Sequence, residues 1–410
     1  MTLEQKVLLR LLKAHIKGEY FNEVERALLF AGQQKGDMKA VLTEAKAQSV
    51  YLMVMDVVAD NDLVPRDKFS EEYDLAFFLT LKNAQVEQSQ KGLVSLLTEN
   101  QKEYAIIKGE AAAAYYPKPT LRTFGDVDFL IDPKDMSEIT EMLKNEGYKE
   151  KQEEHICHVV FKKPKSHLEM HFEIVGIPNG EQGKVVRQYM KDALADTRSQ
   201  SGSMGDFKVL SHARHGLVTL LHMAHHMLTE GIGLRHLCDW AVFVDKTHNE
   251  PFWDKELLPL LNKIGLLKYA KVMTKTAAIY LGTAEMPFAG DISDELCEEV
   301  IEDIFTGGNF GRKDKTYSES GIMVSNHAKD GTKKSKLRVA LSVVHSSVKY
   351  HHPVAIKFKI LYPVFAIYRL FRYFILMLFG KKQSILKTLP TANKRRELYS
   401  KLEVFEVEEK

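Results

Sequence analysis

Apolar positions recur at helical spacing through the first hundred residues: Leu8, Leu11 and Leu12, then the run 27–30, then a denser run at 50–58. Asp60-Asn61-Asp62 and Pro65 break this pattern ahead of another helix over 71–97, so residues 1–100 read as an N-terminal helical lobe. The pattern then changes. "YAIIKG" is a short apolar run ending in Gly, "EAAAAYY" favours helix, "PKPT" stops it, and "FGDVDFLID" alternates like a strand. "DPKDMSEITEMLKNEGY" opens with cap residues and closes at Gly147 like a complete helix. "HICHVVFKK" and "HLEMHFEIVG" are strand-like runs joined by "PKS", which predicts a hairpin. The order βαβαββ over 104–175 predicts an α+β protein: a small mixed sheet with helices on one face, its core spanning 101–180 between helical lobes.

Beyond Gly176 a polar, Gly-rich stretch leads back to helical text from 211 to about 281, within a helical domain set at 181–300. "FTGGNFGRKDKTYSESG" reads as a Gly-rich basic loop and a mobile lid, and "DGTKKSK" as a solvated linker; together they fill 301–336. Residues 337–410 form basic, aromatic helices. Their most apolar stretch, "ILYPVFAIYRLFRYFILMLFG", is interrupted by Pro363, Arg369 and Arg372 before it reaches the roughly 20 residues of a spanning helix. Lys357, Lys359, Arg369, Arg372, Lys381 and Lys382 around the aromatics allow contact with a membrane surface. The favoured expectation is a helix pair packed on the body with its basic residues outward.

Composition narrows the function classes. Of 410 residues, 45% are hydrophobic and 27% charged, an ordinary profile for a folded protein of two or three domains. The 57 Lys and Arg against 55 Asp and Glu leave +2, which argues neither for a dedicated nucleic-acid binder nor for an acidic one, and no sequence-specific nucleic acid is expected. Cys157, Cys238 and Cys297 are far apart with no Cys-x-x-Cys, so neither a disulfide framework nor a thiolate zinc site is indicated, and a reduced cytoplasmic location is expected. The N-terminus begins as an amphipathic helix, with charges too frequent for a secretory signal.

Within "FGDVDFLID", Asp126 and Asp128 project from the same face of the strand, their Cα atoms roughly 6 to 7 Å apart, while Val127, Phe129 and Ile131 supply the core face. Two carboxylates this close repel unless a cation lies between them, and a hard divalent ion such as Mg2+ is the simplest one. In "SHLEMHFEI", Glu169, His171 and Glu173 share a face, so Glu169 completes the cluster if this strand lies beside the first. Three carboxylates around one or two metals, the metals about 3.5 to 4 Å apart, suit in-line phosphoryl or nucleotidyl transfer. Upstream, the strand-to-helix turn at Lys108-Gly109 offers backbone N–H groups where a phosphate can approach closely.

"IIKGEAAAAYYPKPTLRTFGDVDFLI" resembles the core of the uncharacterised bacterial nucleotidyltransferase family, within the polymerase-beta-type superfamily: a Lys-Gly turn, a Tyr-Pro, an Arg, then Asp-hydrophobic-Asp on a strand. "HLEMHFEI" looks like its acid-x-His strand and "GLRHLCDWAVFV" like its Arg-x-x-x-Asp helix. The resemblance implies that Asp126 and Asp128 hold Mg2+, that Glu169 is the third carboxylate, and that Gly109 cradles the triphosphate. The superfamily places a Ser directly after the Gly where this chain has Glu110, and its gap to the first Asp is commonly shorter. Lys108 and Arg122 are then the expected cationic phosphate contacts.

Plainer readings stand beside these. Arg235 and Asp239, four apart on a helix, read as a local ion pair or as nucleotide or acceptor contacts. His212, His215, His222, His225 and His226 crowd one helix; the transition-metal reading is weighed against buried, hydrogen-bonded histidines, which the neighbouring apolar residues favour. Gly307, Gly308 and Gly311 with Arg312 and Lys313 read as a solvated loop before a phosphate site, and they lack the Walker A pattern. The leading expectation is a Mg2+-dependent transfer of NMP from an NTP to a hydroxyl acceptor, with two Mg2+ ions. The alternative keeps the fold as an inactive nucleotide-binding or interaction protein, peripheral to the membrane in envelope glycan assembly.

Overall fold

The computed structural model describes residues 1–19, 21, 37–151, 157–314, 316–317, 319–321, 344–345, 347–348, 352–379 and 385–405. The apolar run at 27–30, the linker at 330–336, and Lys381 and Lys382 lie outside these described residues.

Helix α1 (Leu3–Lys17) opens on Thr2, whose side chain accepts from the Gln5 amide while the Gln5 side chain accepts from the Thr2 amide, and it closes at Gly18 in the left-handed region. It is followed by α2 (Met38–Ala47), α3 (Tyr51–Asp60) and the long α4 (Ser70–Glu99). Leu8, Leu11 and Leu12 of α1 and the apolar run of α3 share one continuous core with later helices: α8 (His212–Thr229), α9 (Leu234–Thr247), α10 (Leu258–Lys263), α11 (Leu267–Leu281) and α12 (Asp294–Gly307). The N-terminal helices are thereby built into the helical body.

Between them lie β1 (Tyr104–Ile106), α5 (Glu110–Ala113), β2 (Val127–Ile131), α6 (Met136–Asn145), β3 (Lys149–Lys151), β4 (His158–Lys163), β5 (Ser166–His171), α7 (Glu181–Met190), β6 (Thr197–Gly202) and β7 (Gly205–Leu210). The seven strands form one mixed sheet in the order β3-β4-β5-β2-β1-β7-β6, an α+β architecture with helical regions flanking the sheet. Alternation sorts its faces. Tyr104, Ile106, Val127, Phe129, Ile131, Leu168, Met170, Phe207 and Val209 pack on Leu93 and Leu97 of α4 and Ile139 and Leu143 of α6. The opposite face carries Ala105, Leu130 and Leu210 into the core of the helical body. Helices therefore cover both faces rather than one, because Ala105, Leu130 and Leu210 add apolar positions to the face that also carries Asp128 and Glu169.

The β6–β7 hairpin was not legible: "TRSQSG" is polar on both faces because β6 is an edge strand. The C-terminal part, α13 (Pro353–Lys357), α14 (Tyr362–Leu378) and α15 (Ile385–Leu402), divides. α15 packs on the body through Ala392, Leu398, Tyr399 and Leu402. Its Arg395 is directed inward, 1% exposed, and donates to the carbonyls of Tyr317 at 2.6 Å and Met227 at 2.8 Å. α14 buries no side chain among its described residues, so only half of the expected packed pair is present. No helix among the described residues is long and apolar enough to cross a membrane.

Candidate active site

Strands β2 and β5 run parallel, and their register sets Asp128 opposite Glu169. Asp126, one residue before β2, joins both in lining a cavity of about 480 Å³ between the sheet, α8, α9 and the segment 309–312. Ligand atoms of Asp126, His167 and Glu169 lie within 4.8 Å of one another. His167 was missed in the sequence, although alternation puts it on the same face as Glu169 and His171.

Lys108 Nζ is 2.5 Å from Asp128 Oδ1, and His171 Nε2 is 2.9 Å from the same oxygen and 3.7 Å from Glu169 Oε2. His158 Nε2 lies 3.8 Å from Glu169 Oε2. This crowding divides the three acids. Burial first, then the charges of Asp128 and Glu169, push the Asp126 carboxyl up to about 7. Burial works against ionised Asp128 as well, yet Lys108 and His171 outweigh it and hold the carboxyl well below the usual range. Glu169 is lowered too, burial being overcome by His171 at 3.7 Å and the charge of Lys108. The carboxylates in return raise Lys108 and His171 despite the burial of both. Asp126 is thus left without the close cationic partner that Asp128 has, and an added cation would relieve it.

Gly109 sits at φ 54°, ψ −116°, a conformation for glycine alone, and a Cβ there would still have room, its nearest neighbour being the Asp126 carbonyl oxygen at 3.6 Å. The backbone shape sets this glycine. The following α5 is a single turn, so Gly109 contributes close approach rather than a helix dipole. Glu110, standing at the superfamily's Ser position, does not line the cavity. Its carboxylate accepts from Gln90 Nε2 at 2.6 Å, and burial, with Glu87 nearby, pushes it up to about 7.

Arg122, expected as a phosphate contact, lines the cavity and is gripped by a carboxylate. Its Nε and Nη2 each donate to Asp239 at 2.7 Å, and the Tyr116 hydroxyl donates to the same carboxylate at 2.7 Å. A planar guanidinium suits such a two-point grip, and it leaves Arg122 tying β2's approach to α9. The Arg235–Asp239 ion pair expected from spacing is not formed. Arg235 makes no ion pair among the described residues; it donates to the Thr123 carbonyl at 3.4 Å, its buried Nε has no partner, and its guanidinium lies 5.7 Å from the Phe310 ring centre. Arg312 lies 5.6 Å from the same ring. Phe310, left-handed at φ 58°, is met edge-on by His226 at 4.8 Å and His236 at 5.5 Å. The segment read as a solvated loop is therefore a wall of the cavity, with Asn309, Phe310 and Arg312 facing it, while Lys313 turns away to Glu44 at 2.7 Å.

His222 and His226 pair through their Nε2 atoms at 2.9 Å, and His226 Nδ1 is 3.4 Å from Glu230. Burial holds His222 and His236 well below their ordinary pKa and His215 at about 3, so these rings are neutral. Among the described residues, the groups able to hold a metal are His158–Glu169–His171 and Asp126–His167–Glu169, neither of which includes an α8 histidine.

The model of a family described as uncharacterised nucleotidyltransferase matches residues 34–282, more than half of the chain, and this span contains both aspartates, Glu169 and the Arg122–Asp239 pair. The chain belongs to that family. It is a nucleotidyltransferase by membership, and the match stops short of the 309–312 wall of this nucleotidyltransferase's cavity. No curated protein and no solved structure matches it.

Proposed function

We propose that this nucleotidyltransferase moves an NMP from an NTP to a hydroxyl acceptor at the cavity formed by Asp126, Asp128 and Glu169. The observation that carries the reading is the β2–β5 register, which brings the third acid beside the aspartate pair. Oxygen donors on Asp126, Asp128 and Glu169 suit Mg2+, and the raised pKa of Asp126 is the mark of a carboxylate cluster short of positive charge. Bound there, Mg2+ would offset phosphate charge and polarise the α-phosphate; two ions are expected from the family resemblance.

The acceptor oxygen forms a bond to the α-phosphorus, the bond from that phosphorus to the β-bridging oxygen breaks, and pyrophosphate leaves with the electron pair. The hydroxyl proton passes to Glu169, which His171 keeps ionised and ready to receive it. Arg235 and Arg312, braced on Phe310, take the β- and γ-phosphates in place of Arg122, which Asp239 already holds. Lys108 stands at the acids, and Gly109 lets the backbone approach the phosphates. An acceptor held at a membrane surface is within this reading.

Glu110 at the superfamily's Ser position would favour the inactive-protein alternative, but a carboxylate held by Gln90 away from the cavity gives it no support. Incubation with α-labelled NTPs and Mg2+ tests the reading through slow transfer to water. Labelled NMP and pyrophosphate are expected from the native protein and not from Asp128→Asn; orthophosphate with NDP would place attack at the γ-phosphate and contradict it.

A further inference from the structure

The net charge of +2 conceals a strong segregation. Residues 331–396 contain fifteen Lys or Arg and no Asp or Glu, while the other 344 residues hold 42 basic residues and all 55 acidic ones. The basic segment contains α14, and the exposed side chains of α14 are large and apolar. Val364, Ile367, Tyr368, Phe371 and Phe374 are 49% to 67% exposed and follow one another at intervals of three, one, three and three, which lays them along one side of the helix. Flanking the helix, Ile360 is 88% and Phe379 76% exposed.

Each such side chain gains by leaving water, so a row of them held in water carries a large cost unless something covers it. Among the described residues it is little covered: α14 buries no side chain, His352 touching only Phe365 and Tyr368 from one end, whereas α15, after the basic 381–382 pair, is pinned by buried Arg395. Seventeen residues of helix extend about 25 Å, too short and too interrupted by Arg369 and Arg372 to cross a bilayer, yet suited to lie in its surface. Arg369 and Arg372, three apart, fall to one side of the apolar row; Arg372 is exposed and can reach headgroups, while Arg369 is half-buried and donates from Nε to Ser347 Oγ at 2.8 Å.

We infer that α14 is a membrane-surface anchor, its Ile367–Phe371–Phe374 side lying among the acyl chains of an anionic lipid leaflet and its surrounding Lys and Arg on the headgroups. The acid-free 66-residue segment selects an anionic leaflet over a protein partner, since each basic residue near such a surface adds to the attraction with no carboxylate in the segment to compete. The inference does not depend on the nucleotide chemistry.

Co-sedimentation of the full chain with vesicles of phosphatidylcholine alone, or with one third phosphatidylglycerol, tests it. Binding is expected to the anionic vesicles, at least tenfold weaker to the neutral ones, and reduced in high salt. Phe371→Glu/Phe374→Glu should abolish it, and Arg369→Gln/Arg372→Gln should weaken it several-fold, both with unchanged thermal unfolding. Phe371→Trp supplies a second readout, an emission blue shift on adding anionic vesicles. Absence of binding by the native chain would overturn the inference. So would a dimer that the Phe371→Glu/Phe374→Glu variant converts to monomer without any lipid effect, because a second copy would then be what covers the helix.

Discussion

Asp128 and Glu169 stand opposite each other on the parallel β2–β5 ladder, and the single Nε2 of His171 serves both, 2.9 Å from the first and 3.7 Å from the second. The two acids are therefore set by backbone pairing and by a shared fully buried ring, not by loop conformation. If Glu169 takes the acceptor's proton, Glu169→Gln should lower kcat by about 10²-fold or more while NTP affinity falls much less than in Asp126→Asn/Asp128→Asn. Single-turnover transfer, once an acceptor is found, or NTP hydrolysis to NMP, checks this.

The two arginines near the cavity should separate cleanly. Arg122→Met strands buried Asp239 and should cost about 3 to 5 kcal/mol in chemical denaturation. Arg235→Met removes a half-buried cation that makes no ion pair among the described residues, so stability should hold or rise. Its effect should appear as at least a tenfold loss of NTP affinity.

These contrasts mark where the sequence was readable. Alternation in "FGDVDFLID" and "HLEMHFEI" put the acids on one side and the core on the other, because a strand's period of two leaves no other arrangement once Val127, Phe129, Leu168 and Met170 are buried. Arg122 was legible as a residue but not as a partner. Its carboxylate lies 117 positions away on α9, and the nearer spacing of Arg235 to Asp239 suggested the wrong pair. Phe310 and Arg312 were read as loop for a similar reason: glycine spacing reports local backbone freedom and says nothing about the cavity against which the turn folds.

Metal binding should depend on pH through Asp126. Its carboxyl is pushed up to about 7, so below that pH a divalent cation must displace a proton, and above it need not. Mg2+ affinity should climb as pH rises towards 7 and then level off. Calorimetry at pH 6.5 in two buffers of different ionisation enthalpy should show proton release, and Asp126→Asn should remove the difference between them.

Glu110 gives an independent pH signature away from the acids. Its folded pKa of about 7 exceeds the ordinary 4.5, so its contribution to stability is greatest below 4.5 and is lost as pH rises through 7. Glu110→Gln should leave stability near pH 5 almost unchanged and raise it by on the order of 1 to 2 kcal/mol at pH 8. Denaturant midpoints at the two pH values read this directly.

The most direct measurement of the central claim is calorimetric binding of ATP, GTP, CTP and UTP, with and without Mg2+, to the native chain and to Asp126→Asn/Asp128→Asn, since it needs no acceptor. At least one nucleotide should bind the native chain only with Mg2+, and that binding should vanish in the double variant while the fold persists. Failure of the native, folded chain to bind any of the four, or equal binding by the double variant, would contradict the account.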